Sequence, residues 1–254
     1  MSTYNEKLNN LFTRWIERSE QNNEPREQNA GSIIFTKDGL LEKNDPAIDV
    51  EKEWHNANKR VLFIIKDQPT EWNDDLRLWL KDIEDEKPLN RCNKENNRSL
   101  KSRFMHNLAN ILYGLTHNAP SFEELHNSFE QVKHCFNTMP FALVECKKQG
   151  GKSSIADGVL HTYIKCYGDL LHEEIDILNP NMIVCTSSII YDFVQNLYIG
   201  ELTTIEGHNS IRINLKRKML IFCSYHPSAW NVNVYEGVMD HYRAFLQSDY
   251  ATRF

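Results

Sequence analysis

Four short apolar runs limit what this chain can fold into. They are Arg60 to Lys66 (RVLFIIK), Phe141 to Cys146 (FALVEC), Met182 to Cys185 (MIVC) and Met219 to Cys223 (MLIFC). Runs of four to eight apolar residues bounded by polar segments fit buried strands better than helices. The segments between them hold stretches with apolar residues at helical spacing. Strands that alternate with helices make a mostly parallel sheet covered on both faces. The expected fold is therefore α/β, a three-layer α/β/α sandwich around a central four-stranded, mostly parallel sheet.

The remaining segments fill in around that centre. Residues 4–19 place Leu8, Leu11, Phe12, Trp15 and Ile16 on one helical face. Residues 45–59 can form a helix starting at or after Pro46, and 76–83 a second. Ser32 to Phe35 reads as an edge strand or a docking segment. Residues 84–102 are charged and Asn-rich and read as a surface loop. Helices are expected at 104–115, at 121–136 with Ser121 and Glu124 at capping-box spacing, at 157–178, at 188–198 and at 234–246. A hairpin-like stretch spans 203–215. The division expected is 1–58 as an N-terminal helical extension packed on the domain and 59–254 as the α/β domain.

Composition excludes some functions. The net charge is −6, from 29 basic and 35 acidic residues. That argues against nucleic-acid binding by bulk charge and leaves room for a local basic groove. Six cysteines are scattered with no C-x-x-C pair, so neither a cysteine zinc site nor an iron–sulfur site is expected. Reduced thiols and the absence of a signal or membrane-spanning run imply an intracellular, cytoplasmic protein.

The chemistry lies in the polar segments just past the strands. After the last strand comes Ser224-Tyr225-His226-Pro227-Ser228. Pro227 ends the ladder and pushes His226 into a turn at the strand's carboxyl end. In open parallel sheets that rim is where ligands bind. A lone turn histidine is more often bonded to nearby backbone. Here the other strands also end in polar segments: Lys66-Asp67-Gln68-Pro69, Glu145-Cys146-Lys147-Lys148 and Thr186-Ser187-Ser188.

In this order the pattern resembles the uracil-DNA glycosylase superfamily. The His226–Asn231 stretch (HPSAWN) is similar to that family's last motif, and Lys66–Pro69 to its first. Arg103-Phe104-Met105 resembles a segment that supplies a base-stacking Phe, and Glu145 occupies the place of a base-reading residue. The resemblance spans roughly residues 60–231. This chain departs from the pattern with Lys66 where a Gly is usual and Glu145 where an Asn is expected.

The resemblance implies a monofunctional DNA glycosylase needing no metal or cofactor and acting as a monomer on single- or double-stranded DNA. Breaking a base–sugar bond needs a carboxylate under the sugar and a donor at the leaving base. Asp67 is the candidate carboxylate, with Gln68 as fallback, and His226 the donor. Glu145, Phe104 and Pro69 are the candidate base contacts. A carboxylate only accepts hydrogen bonds, so Glu145 favours a base edge with amino donors, such as a modified cytosine, over uracil. A strand-end Glu paired with Lys147 or Lys148 is the plainer reading. Lys147, Lys148, Lys152, Ser153, Ser187 and Ser228 are candidate phosphate contacts, and Trp230 a wedge in the duplex. Two readings compete: a glycosylase-fold binding module for nucleic acid or nucleotide without turnover, and a pocket for a free nucleoside or nucleotide.

Overall fold

The computed structural model describes residues 3–22, 35–66, 75–80, 100, 102–149 and 155–254. Seven strands form one sheet: β1 (Gly39–Leu40), β2 (Val61–Ile65), β3 (Ala142–Glu145), β4 (Met182–Cys185), β5 (Leu202–Ile205), β6 (His208–Asn214) and β7 (Met219–Cys223). Their order is β1-β3-β2-β4-β7-β6-β5. The four apolar runs are the parallel centre, β3-β2-β4-β7. Beyond the four strands expected, β1 adds antiparallel to β3, and the β5–β6 hairpin adds antiparallel to β7.

The strands are apolar on both sides because both sides are covered. Phe63, Ile65, Leu143, Val184, Leu220 and Phe222 face α3 (Arg103–Thr116), α5 (Phe129–Thr138) and α8 (Val234–Gln247). Leu62, Ile64, Ala142, Val144, Ile183 and Ile221 face α1 (Tyr4–Gln21), α6 (Asp157–Leu178) and α7 (Ser188–Leu197). Element α1 buries Leu8, Leu11, Phe12 and Trp15 in this second layer. The Trp15 Nε1–H donates to the Tyr163 hydroxyl of α6 at 2.9 Å. Among the described residues two shorter α-helices are α2 (Val50–Asn56) and α4 (Phe122–Asn127).

Two expected helices differ. Residues 121–136 form α4 and α5 rather than one helix, because Ser128 leaves helical geometry (φ −108°, ψ 26°) and its hydroxyl donates back to the Glu124 carbonyl. Of the helix expected at 76–83, the described residues 76–80 hold a single tight turn, Leu76–Leu78, capped by Asp75, and 81–83 lie outside the described residues. Long α6 stops where predicted, at Asn179 in the left-handed region (φ 48°) ahead of Pro180.

Register puts the parallel strands' carboxyl ends level. Ile65 pairs with Glu145, Ile64 with Cys185, and Cys185 with Cys223. The segments that leave β2, β3 and β7 therefore emerge along one rim.

Candidate active site

His226 reaches this rim through a short, well-bonded connection. The Ser224 N–H extends the ladder to the Cys185 carbonyl at 2.8 Å. The chain then turns at His226-Pro227, closed by Ala229 N–H on the His226 carbonyl at 2.8 Å. Asn107 on α3 donates from Nδ2 to the Pro227 carbonyl at 2.6 Å, which ties the turn to that helix. The Ser228 N–H donates to His226 Nδ1 at 3.2 Å. With Nδ1 accepting, the neutral ring carries its proton on Nε2. Burial pushes the imidazole's pKa down, and the Lys66 charge pushes it further in the same direction. A neutral imidazole with a fixed tautomer is the result.

Phe104, at the start of α3, lies 5.7 Å from the His226 ring with a 40° tilt, and edge-on to Trp79 at 5.8 Å. Lys66 follows β2 directly and pairs with Asp157, at the first turn of α6, at 3.1 Å. Its carbonyl accepts from Lys147 N–H at 2.9 Å, so the turns after β2 and β3 run side by side. Glu145 ends β3 fully buried. Side chains alternate across a strand, so Glu145 shares the face of Leu143, which is the face Phe104 covers. Glu145 and His226 therefore both stand at the carboxyl rim of the sheet.

Asp67, Gln68, Pro69, Lys152 and Ser153 lie outside the described residues. Lys66, immediately before Asp67, stands at the same rim.

One phosphate candidate is corrected. Lys148 is fully buried, its ammonium 2.6 Å from Asp38 Oδ2, 2.7 Å from Asp38 Oδ1 and 2.7 Å from Glu174 Oε2. It cannot meet a DNA backbone. A lysine one turn beyond a strand looked basic and exposed because its two acids come from distant segments. The same contact sets aside the pairing of Glu145 with Lys148. Lys147, half-buried, donates to the Gln149 carbonyl. Ser187 caps α7, accepting from the Ile190 N–H at 3.3 Å. Ser228 is exposed, and Trp230, the residue after the turn, is 80% exposed.

Sequence reasoning missed Asn107 and Asp38. Asn107 had a signal, since it lies three residues after Phe104 and shares its helix face. Asp38 had none, being one acid in a short polar stretch. Among the described residues no group of three or more His, Cys, Asp or Glu side chains could hold a metal, and no helix is long and apolar enough to cross a membrane.

The model of the uracil DNA glycosylase superfamily matches residues 87–248. This chain belongs to that superfamily. The match takes in Phe104, Glu145, His226 and Trp230 and begins beyond the Lys66–Pro69 segment. Searches of curated proteins and of solved structures returned no match. The superfamily is generally one of DNA-binding glycosylases.

Proposed function

We propose that this superfamily member is a monofunctional DNA glycosylase. It hydrolyses the N-glycosidic bond of a flipped base, either uracil or a modified base of the cytosine type. The observation that carries this is His226: a neutral ring at the carboxyl rim, its Nδ1 occupied by the Ser228 amide and its proton on Nε2. Such a group donates to the carbonyl of a base leaving as an anion. The bond's electron pair goes to the base nitrogen, a water oxygen adds to the sugar carbon, and the proton that water gives up passes to the carboxylate beside it. Asp67 is proposed to orient that water and to oppose the sugar's positive charge. Phe104 packs beneath His226 and offers the flipped base an apolar floor. Trp230, largely exposed just after the turn, holds the strand open.

Glu145 is proposed to select the base. It presents acceptors only, so a base edge carrying an amino group suits it better than the uracil edge.

The test is release of bases from oligonucleotides containing uracil, cytosine or modified cytosines, read as strand breaks after alkali. Breaks that vanish with His226→Ala and Asp67→Ala are expected. Breaks insensitive to both substitutions place catalysis elsewhere, and an absence of breaks on every base favours a binding module. Efficient release of uracil alone removes the role given to Glu145.

A further inference from the structure

The strongest unexplained feature is the buried ion cluster of Asp38, Lys148 and Glu174, each with no exposed surface. Such sets are poor stabilisers, because an apolar trio of equal volume generally does as well. The reason for this one lies in what Asp38 touches. The segment 35–40 runs antiparallel beside β3 and its continuation. Leu40 pairs with Ala142, Gly39 with Leu143, Thr36 N–H with the Lys148 carbonyl at 2.8 Å, and Phe35 with Gln149. Between Gly39 and Thr36 regular strand pairing lapses. At that gap the Asp38 side chain takes the place of a ladder acceptor: Oδ2 accepts the Glu145 N–H at 2.6 Å.

Asp38 therefore grips both ends of the Glu145–Lys148 segment, by the Glu145 amide and by the Lys148 ammonium. Burial acts against the charge on Lys148, but Asp38 and Glu174 outweigh it and its pKa rises. Burial and the Asp38 charge push Glu174 well up, toward its neutral form.

We infer that Asp38, anchored by Lys148 and Glu174, is a positioning residue that fixes the end of β3 and so sets where Glu145 meets the base. The inference rests on the proposed role of Glu145 in selecting the base. A hydrogen bond of fixed length at the amide of one residue sets that residue's reach. Errors near 1 Å in such placement cost on the order of 100-fold in rate.

Two substitutions separate positioning from mere stability. Asp38→Asn keeps an acceptor in place and loses the charge. Asp38→Glu keeps the charge and moves the acceptor by one methylene. If Asp38 serves stability through its charge, Asp38→Glu is the milder change. If it positions Glu145, the order reverses. The readouts are the single-turnover rate on the best-released base, its ratio to the next base, DNA affinity, and melting temperature as a check on folding.

The expected result is a base ratio within about threefold of wild type for Asp38→Asn. Asp38→Glu is expected to lose about 10- to 100-fold in rate and ratio with DNA affinity unchanged. The opposite order overturns the inference. If Glu145→Gln alters the ratio and Asp38→Glu does not, the inference alone fails. If Glu145→Gln leaves the ratio unchanged, the role of Glu145 fails and takes the inference with it. Should Asp38→Glu not fold, Asp38→Ala/Lys148→Met stands in, with the acceptor and its anchor both removed. It is expected to lose about 10- to 100-fold in the base ratio, and retention of the wild-type ratio overturns the inference.

Discussion

Two perturbations act on His226 in one direction. Burial disfavours its charged form, and the Lys66 ammonium disfavours it further. Its folded pKa lies below the unfolded value near 6.5. Between the two, the unfolded chain binds more protons than the folded one. This group's contribution to stability is therefore full above about pH 6.5 and is lost as pH falls through the depressed value. Lys66→Met removes the second perturbation only, so the His226 titration followed by NMR is expected to move up toward 6.5 without reaching it. No movement would mean that Lys66 does not act on the ring. His226→Ala is expected to cut single-turnover excision by about 100- to 1,000-fold, the usual loss of one donor at a developing anion. At this scale the sequence was half legible. Pro227 after an apolar run put His226 at the rim, while its Nδ1 partner, an amide two residues on, needed coordinates.

Between β1 and α2 the chain buries Lys43. Its ammonium donates to the Phe136 carbonyl at 2.9 Å and sits 4.3 Å from the centre of the Phe141 ring. Burial lowers its pKa to about 7. From there up to the unfolded value of about 10.4, the unfolded chain holds a proton that the folded chain has released, so stability rises with pH across that window. Lys43→Met removes the dependence. Relative to wild type it is expected to be stabilising at pH 6 by roughly 3–5 kcal/mol more than at pH 10, as read by denaturant melts at the two values. An equal effect at both would show that Lys43 stays charged in the fold. Element α1 is a different case. Trp15→Ala empties a site between α1 and α6 and is expected to cost about 3–5 kcal/mol. A loss below about 1 kcal/mol in the same melts would mean that α1 is only loosely seated.

These elements also show what a sequence can declare. Helix α1 declared itself because five apolar residues repeat at helical spacing. Strands β2, β3, β4 and β7 did so because both their faces are covered. Strand β1 is two residues long and has no pattern to read. Strands β5 and β6 are half exposed, so they read as a hairpin and not as sheet. The buried Lys148 had one faint sign. Glu174 lies on the apolar stripe of α6 with Leu170, Leu171 and Ile175, and an acid there calls for a cation.

Over the whole molecule, the net charge of −6 means that the proposed DNA contact depends on local groups rather than on bulk charge. Trp230, at 80% exposure, stands out from the carboxyl rim with little packing to lose. Trp230→Ala is expected to slow excision from duplex DNA about tenfold or more and to leave single-stranded substrate and thermal stability unchanged, since a wedge acts only where a stack must be opened. Equal loss on both substrates would make Trp230 part of the pocket. The rim's composition was legible in order along the chain, because each strand end carries its own polar segment. That three of those ends stand level follows only from register.

The Asp38–Lys148–Glu174 set has a consequence for how the chain folds. Burial and the Asp38 charge make the Glu174 carboxyl harder to ionise in the fold than in the unfolded chain. The native state therefore holds a hydrogen ion at this helix more tightly than the unfolded chain does, and this side chain's contribution declines as the medium turns more alkaline, from its unfolded pKa of about 4.3 up through the raised folded one.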